Sequence, residues 1–401
     1  MSRRLALALL ALIALSLTRL SAQDYRAQAL RILRTTPLID GHNDLPFEVR
    51  VRGGVDSVDL AVSQPTLMTD IARLRAGGVG AQFWAAYVPV TTIHEGTHAA
   101  VYALEQIDVV HRMCAKYPQA FGEARTAAQI ERNFKAGKIS CLIGVEGGHA
   151  IENSLGALRT FYDLGVRYMT LTHWETIDWA DAATDSAKHG GLTAFGEQVV
   201  LEMNRLGMLV DLSHVSDATM MDVLRVSRAP AFYSHSSARA IANHVRNVPD
   251  SILRSVGQKG GVVMVNFNPG FVSEAVRLYG DSVSAWARAL RAAGGDSATR
   301  ADSLKAWTAR GPKATLQQVA DHLQHLRDVA GIDHIGIGSD FDGISDVPVG
   351  LEDVSKFPDL LAELLRRGWS EMDVRKVVGL NALRVMREAE RVSAQLGGRA
   401  P

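Results

Sequence analysis

The stretch Pro37-Leu38-Ile39-Asp40-Gly41-His42-Asn43-Asp44 reads as a short apolar strand that ends in an imidazole and a carboxylate. Side chains alternate along a strand, so His42 and Asp44 are expected on one side, one repeat apart. So placed, they make half of a divalent-metal site. Seven more apolar, β-branched runs follow, near Ala81–Val88, Ser140–Glu146, Tyr168–His173, Leu209–His214, Ala231–His235, Val262–Phe267 and Ile335–Asp340. Stretches with helical spacing lie between them, such as Ala99–Lys116, Thr193–Arg205 and Leu316–Val329. That alternation argues for a parallel α/β fold. Eight such units favour a closed (β/α)8 TIM barrel over an open doubly wound sheet, and no Gly-rich phosphate loop follows the first strand. Ser273–Pro312 reads as a helical excursion after the seventh strand. The C-terminal tail from Asp353 to Gln395 reads as helical, with Leu360, Leu361, Leu364 and Leu365 as a core-facing stripe.

In such a barrel the reacting groups sit at the C-terminal ends of the strands. Reading those ends in order gives His42 and Asp44, then Glu146, His173, His214, His235 and Asp340. One histidine in such a place is more often a hydrogen-bonded structural residue than a ligand. Strand after strand ending in a metal-compatible group is hard to produce by packing alone. These imidazoles, a glutamate able to bridge and two aspartates outnumber what one tetrahedral zinc requires. They suit two metals about 3.5–4 Å apart, sharing a carboxylate and a hydroxide. Such a pair hydrolyses an amide, ester or related bond.

Taken together, seven motifs resemble the membrane dipeptidase (renal dipeptidase-like) family, peptidase family M19, a branch of the amidohydrolase barrels. They are Ile39-Asp40-Gly41-His42-Asn43-Asp44, Gly144-Val145-Glu146-Gly147-Gly148-His149, Leu171-Thr172-His173, Asp211-Leu212-Ser213-His214-Val215-Ser216, Ser234-His235-Ser236-Ser237, Arg246-Asn247-Val248-Pro249 and Gly338-Ser339-Asp340-Phe341-Asp342-Gly343. The resemblance runs from about Pro37 to Glu390. It implies a metal-dependent hydrolase in which His42 and Asp44 hold one Zn2+, His214 and His235 hold the other, and Glu146 bridges them within the catalytic centre. It further implies that His173 contacts the scissile carbonyl oxygen, that Arg246 grips the substrate's C-terminal carboxylate, and that Asp340 manages protons. The implied substrates are dipeptides with a free carboxylate and broad side chains, a D-residue at the second position being considered among them. The implied assembly is a homodimer. A related amidohydrolase acting on N-acyl amino acids or lactams is the nearest alternative, and a non-catalytic metal-binding barrel a more distant one.

Other residues take plainer readings. Asp342 precedes Gly343 and reads as a turn residue. His149 reads as a loop or supporting residue, and His94, His98 and His111 as solvent-facing. His322 and His325 share a helix with Asp321 and Asp328, which reads as a solvated face. Trp174 and Trp179 either wall the substrate pocket or pack their loop. Cys114 and Cys141 are the two cysteines. They are equally well read as a disulfide or as free buried residues.

The first 22 residues read as an export signal, with Ser2-Arg3-Arg4, an apolar Leu5–Leu17 run and small residues at Leu20-Ser21-Ala22. That leaves residues 23–401 as one barrel domain, periplasmic or extracellular, with no transmembrane helix after cleavage. The 43 basic and 43 acidic residues balance, and no basic stripe of the kind that binds nucleic acid is present.

Overall fold

The computed structural model describes residues 24–94, 98–292, 294 and 297–398. The leader expected over residues 1–22 lies outside these. Nine parallel strands form: β1 (Leu38–Asn43), β2 (Val79–Tyr87), β3 (Phe121–Glu123), β4 (Ile139–Glu146), β5 (Val166–Thr170), β6 (Leu209–Asp211), β7 (Phe232–Tyr233), β8 (Val262–Val265) and β9 (Ile335–Ile337). Eight of them close a ring in the order β2-β1-β9-β8-β7-β6-β5-β4, and β4 pairs back to β2 from Ser140 to Glu146. This is the (β/α)8 barrel that the spacing predicts. The unforeseen ninth strand, β3, pairs with Ile139–Cys141 at the start of β4, before β5 takes up pairing at Ile143. Three residues carry too little periodicity to be read from sequence.

The strands are buried on both faces, which is why they read as near-continuous apolar runs. Inside the ring, Phe83, Tyr168 and Phe232 pack with centroids 5.1–5.8 Å apart and fill the lumen below the mouth. Helices surround the ring, and their starts are written locally. Asp70, Thr126, Ser154, Thr193 and Ser216 each accept a backbone N–H from the first turn, and Thr315 forms a capping box with Gln318.

After β8, the barrel's seventh strand, the excursion forms helices Glu274–Ala292 and Ser297–Thr308. They are held together by stacked Trp286 and Trp307 and by the Tyr279 hydroxyl, which donates to the Trp307 carbonyl. The tail forms helices Phe357–Arg366 and Asn381–Gln395 against the outside of the ring, with Leu360, Leu361, Leu364 and Leu365 buried. Cys114 and Cys141 are joined in a disulfide, tying helix Ala99–Lys116 to β4. Between the two sequence readings, the structure selects the bridge. His322 departs from its reading. It is fully buried, its Nδ1 accepting the Ala238 N–H and its Nε2 donating to the Val272 carbonyl. The helix turns it inward, away from exposed Asp321. Among the described residues, no helix is long and apolar enough to cross a membrane.

Candidate metal centre and substrate cleft

Of the seven strand-end groups, only His42 and Glu146 lie within strands; the rest sit in the turns just beyond. Simple alternation does not explain even His42. Between Asp40 and Asn43 the register slips, three steps on β1 matching two on β2. Such a bulge re-aims the side chains after it. Asp44 has left the strand and stands at the N-cap position of helix Leu45–Val51 without a capping side-chain bond, its N–H bonded to the Phe341 carbonyl. Asp340 and Asp342 likewise do not alternate along a strand: β9 ends at Ile337 and both have positive φ, 66° and 63°. His214 is at φ 72°. Left-handed backbone at non-glycine residues is costly and clusters at functional sites.

The side chains converge around Glu146, whose two oxygens face different partners. Oε2 lies 3.6 Å from His42 Nε2, which is 3.1 Å from Asp44 Oδ2. Oε1 lies 3.0 Å from His214 Nε2, 3.5 Å from His235 Nε2 and 3.9 Å from His173 Nε2. Asp340 joins His42 and Asp44, their nearest ligand atoms all within 4.8 Å of one another. One carboxylate thus stands between two sets of donors.

The surroundings turn these donors inward. His42 Nδ1 is 2.7 Å from the Tyr168 hydroxyl. Asp211 accepts the Ser234 Oγ–H at 2.6 Å, so Ser234 Oγ is left to accept from His235 Nδ1 at 2.7 Å. With Nδ1 so engaged, His235 presents its Nε2 lone pair to the centre. His214 Nε2 and His235 Nε2 stand 3.0 Å apart. Two lone pairs at that distance need a cation or a proton between them. Imidazole nitrogens and carboxylate oxygens suit zinc, so the residues present fit the metal chemistry.

Charge tells the same story. Burial opposes a proton on His42, yet Tyr168, Asp44 and Glu146 outweigh it and lift its pKa well above the ordinary imidazole range. Burial opposes ionisation of Glu146, but His42 holds it well below the carboxylate range. Asp340 is pushed up to about 8 by burial, with Asp44 and Glu146 adding to the rise against His42. The centre draws positive charge inward. His173 is lowered to about 4 by burial and is a neutral ring.

The centre opens into a cleft of about 230 Å3 at the barrel mouth. Arg246 lines it, 1 % exposed, its guanidinium 5.4 Å from the Phe271 ring centre and all three nitrogens without a hydrogen-bond partner. Trp174, 41 % exposed, packs edge-on to His173 and His214 and walls the cleft, whereas Trp179 is buried and packs its loop. Asp342 is half-buried and accepts the Met68 N–H, as a turn residue would, but it also lines the cleft. The described lining includes no residue of Ser273–Pro312. A larger cavity, about 400 Å3, lies at the entries to β7 and β8; among its lining residues, Glu388 is the only acid and there is no histidine. The chemistry is at the mouth. Sequence reading missed the supporting residues Tyr168, Asp211 and Ser234, whose only signal is polarity on the lumen side of a buried strand.

A model of the membrane dipeptidase family, peptidase family M19, matches residues 26–399. Dipeptidase 3 of Mus musculus is 42 % identical over 382 residues, spanning 94 % of this chain and 69 % of that protein. Dipeptidase verJ of Clonostachys rogersoniana is 41 % identical over 384 residues, spanning 93 % of this chain and 89 % of its own length. Among solved structures, the probable dipeptidase PvdM from Pseudomonas aeruginosa is similar with a TM-score of 0.81 at 25 % identity, covering 92 % of this chain and all of that one. A metallo peptidase from Rhodobacter sphaeroides, liganded with a phosphinate mimic of the dipeptide L-Ala-D-Ala, gives 0.71 at 26 % identity, covering 88 % of this chain and 99 % of its own.

Proposed function

The chain belongs to the membrane dipeptidase family, and from that premise we propose that it is an exported two-zinc enzyme cleaving dipeptides with a free C-terminal carboxylate. The observation that carries this reading is Arg246. A buried guanidinium with no hydrogen-bond partner among the described residues is a site waiting for an anion, and its planar fork matches a carboxylate. His42 and Asp44 would hold one Zn2+, His214 and His235 the other, with Glu146 between them. When bound, the metals supply Lewis-acid polarisation and lower the pKa of water at the site.

The chain's own residues do the rest. Arg246 anchors the carboxylate and so sets the scissile carbonyl beside His173. Neutral His173 donates its N–H to the carbonyl oxygen as negative charge develops there. Asp340 takes a proton from the attacking water and returns it to the leaving amine. The dipeptide mimic with a D-residue in the Rhodobacter relative supports tolerance of a D-residue at the second position. The Cys114–Cys141 disulfide supports export to an oxidising compartment, as does the leader-like sequence of residues 1–22. A homodimer is proposed on family resemblance.

The test is an assay panel of L,L- and L,D-dipeptides beside tripeptides and N-acyl amino acids, with chelator and with zinc restored. Dipeptides of both kinds should be cleaved, activity should vanish with chelator and zinc should restore it. Comparable tripeptide rates, or activity indifferent to chelator, would contradict the reading. Preference for N-acyl amino acids would move the substrate class.

A further inference from the structure

At the opposite end of the barrel, helix Tyr25–Leu33, the entry to β2 and the entry to β4 enclose a second cleft of about 290 Å3. Leu30, Leu33, Val79, Phe134 and Ile139 make its walls, and Arg34, Arg75 and Lys138 stand among them. No carboxylate lines it. Arg34 Nε donates to the Leu30 carbonyl and Arg75 Nη2 to the Gln119 carbonyl. Neither they nor Lys138 has an acidic partner among the described residues. The catalytic cleft is the electrical opposite, lined by Asp44, Glu48, Glu146, Asp340 and Asp342 against Arg246 alone.

Apolar walls with three uncompensated cations match one ligand chemistry, a negative head on an apolar chain. The walls take the chain, and the guanidinium and ammonium groups take the head. A water-sized group claims about 30 Å3, so the cleft holds on the order of ten heavy atoms. We propose that this cleft binds an anionic amphiphile, with Arg34, Arg75 and Lys138 around the head and Leu33 and Phe134 against the chain. The site is independent of the catalytic reading, since it shares no residue with the mouth.

Calorimetric titration of the full chain with octanoate tests it, with octanol as the uncharged chain and acetate as the chainless anion. Octanoate should bind at least about tenfold more tightly than either. The Arg34→Glu/Lys138→Glu double variant should lose about tenfold in octanoate affinity while keeping wild-type Tm and dipeptide hydrolysis. Sedimentation with phosphatidylglycerol and phosphatidylcholine vesicles separates two sources of the same chemistry. Capture by phosphatidylglycerol vesicles that octanoate reverses assigns a bilayer lipid, and octanoate binding without capture assigns a free amphiphile. Equal affinity for octanol, or undiminished octanoate binding by the double variant, would overturn the proposal. So would a change of oligomeric state in that variant with no octanoate binding by the wild type, which would make the occupant a second copy of the chain.

Discussion

Arg246 is a charge placed for a ligand at the expense of the fold. Burial lowers its pKa to about 10, and among the described residues no side chain hydrogen-bonds to it. A buried ion without a hydrogen-bond partner costs several kcal/mol, a cost that the charges of Asp340 and Glu146 offset in part. Arg246→Met tests that role. The KM for free dipeptides should rise about a hundredfold, with kcat changed far less, because the lost contact binds substrate and transition state alike. Dipeptide amides, lacking the carboxylate, should lose much less. An unchanged KM would remove Arg246 from substrate recognition. His214, at φ 72°, stores strain of roughly 1–3 kcal/mol at the same centre. Backbone strain of this kind leaves no mark in a sequence motif.

At the scale of elements, β4 and β5 show how packing and chemistry share one position. A Cβ on Gly144 would fall 2.0 Å from the Tyr168 ring, whose hydroxyl reaches His42. The glycine therefore makes room for the residue that orients a centre ligand. The disulfide from helix Ala99–Lys116 to β4 closes a loop of 27 residues, which contributes about 3–4 kcal/mol by restricting the unfolded chain. Helix Leu316–Ala330 carries a pH dependence of its own. His322 is buried neutral and its pKa is lowered to about 4 by burial. In the unfolded chain it titrates near 6.5. As pH falls through that value the unfolded state takes up a proton that the folded state refuses, so stability falls between pH 6.5 and 4, by roughly 3 kcal/mol. The slope of Tm against pH should be shallower over that window in His322→Gln, whose amide can still accept from Ala238 and donate to Val272. Equal slopes would show that His322 is protonated in the fold.

For the molecule as a whole, the barrel gathers buried Asp44 and Glu146 and half-buried Asp340 from three distant parts of the chain into one centre. That concentration of acid is unfavourable without cations. Chelation should lower the Tm by on the order of 5–10 °C relative to the zinc-loaded protein, by linkage between binding and folding. Indifference to chelator in a scanning fluorimetry series would argue against a cation held by these residues. Much of this architecture was legible beforehand. Eight apolar runs, six of them leading to a histidine or an acid, mark the strands, and Ser, Thr and Asp before amphipathic stretches mark the helix starts, because both signals are local and periodic. The bulge after Asp40, the three-residue β3 and the inward turn of His322 were not, since each depends on neighbours far away in the chain. Sequence alone determined the barrel, the identity of the groups brought to its mouth and the cysteines available for a bridge. Only the tertiary structure decided that Glu146 divides its two oxygens between two sets of donors, that Arg246 stands unpaired, that Cys114 meets Cys141 and that a cationic cleft lies at the far end. Those are distances between residues remote in sequence, and closure of the ring is what sets them.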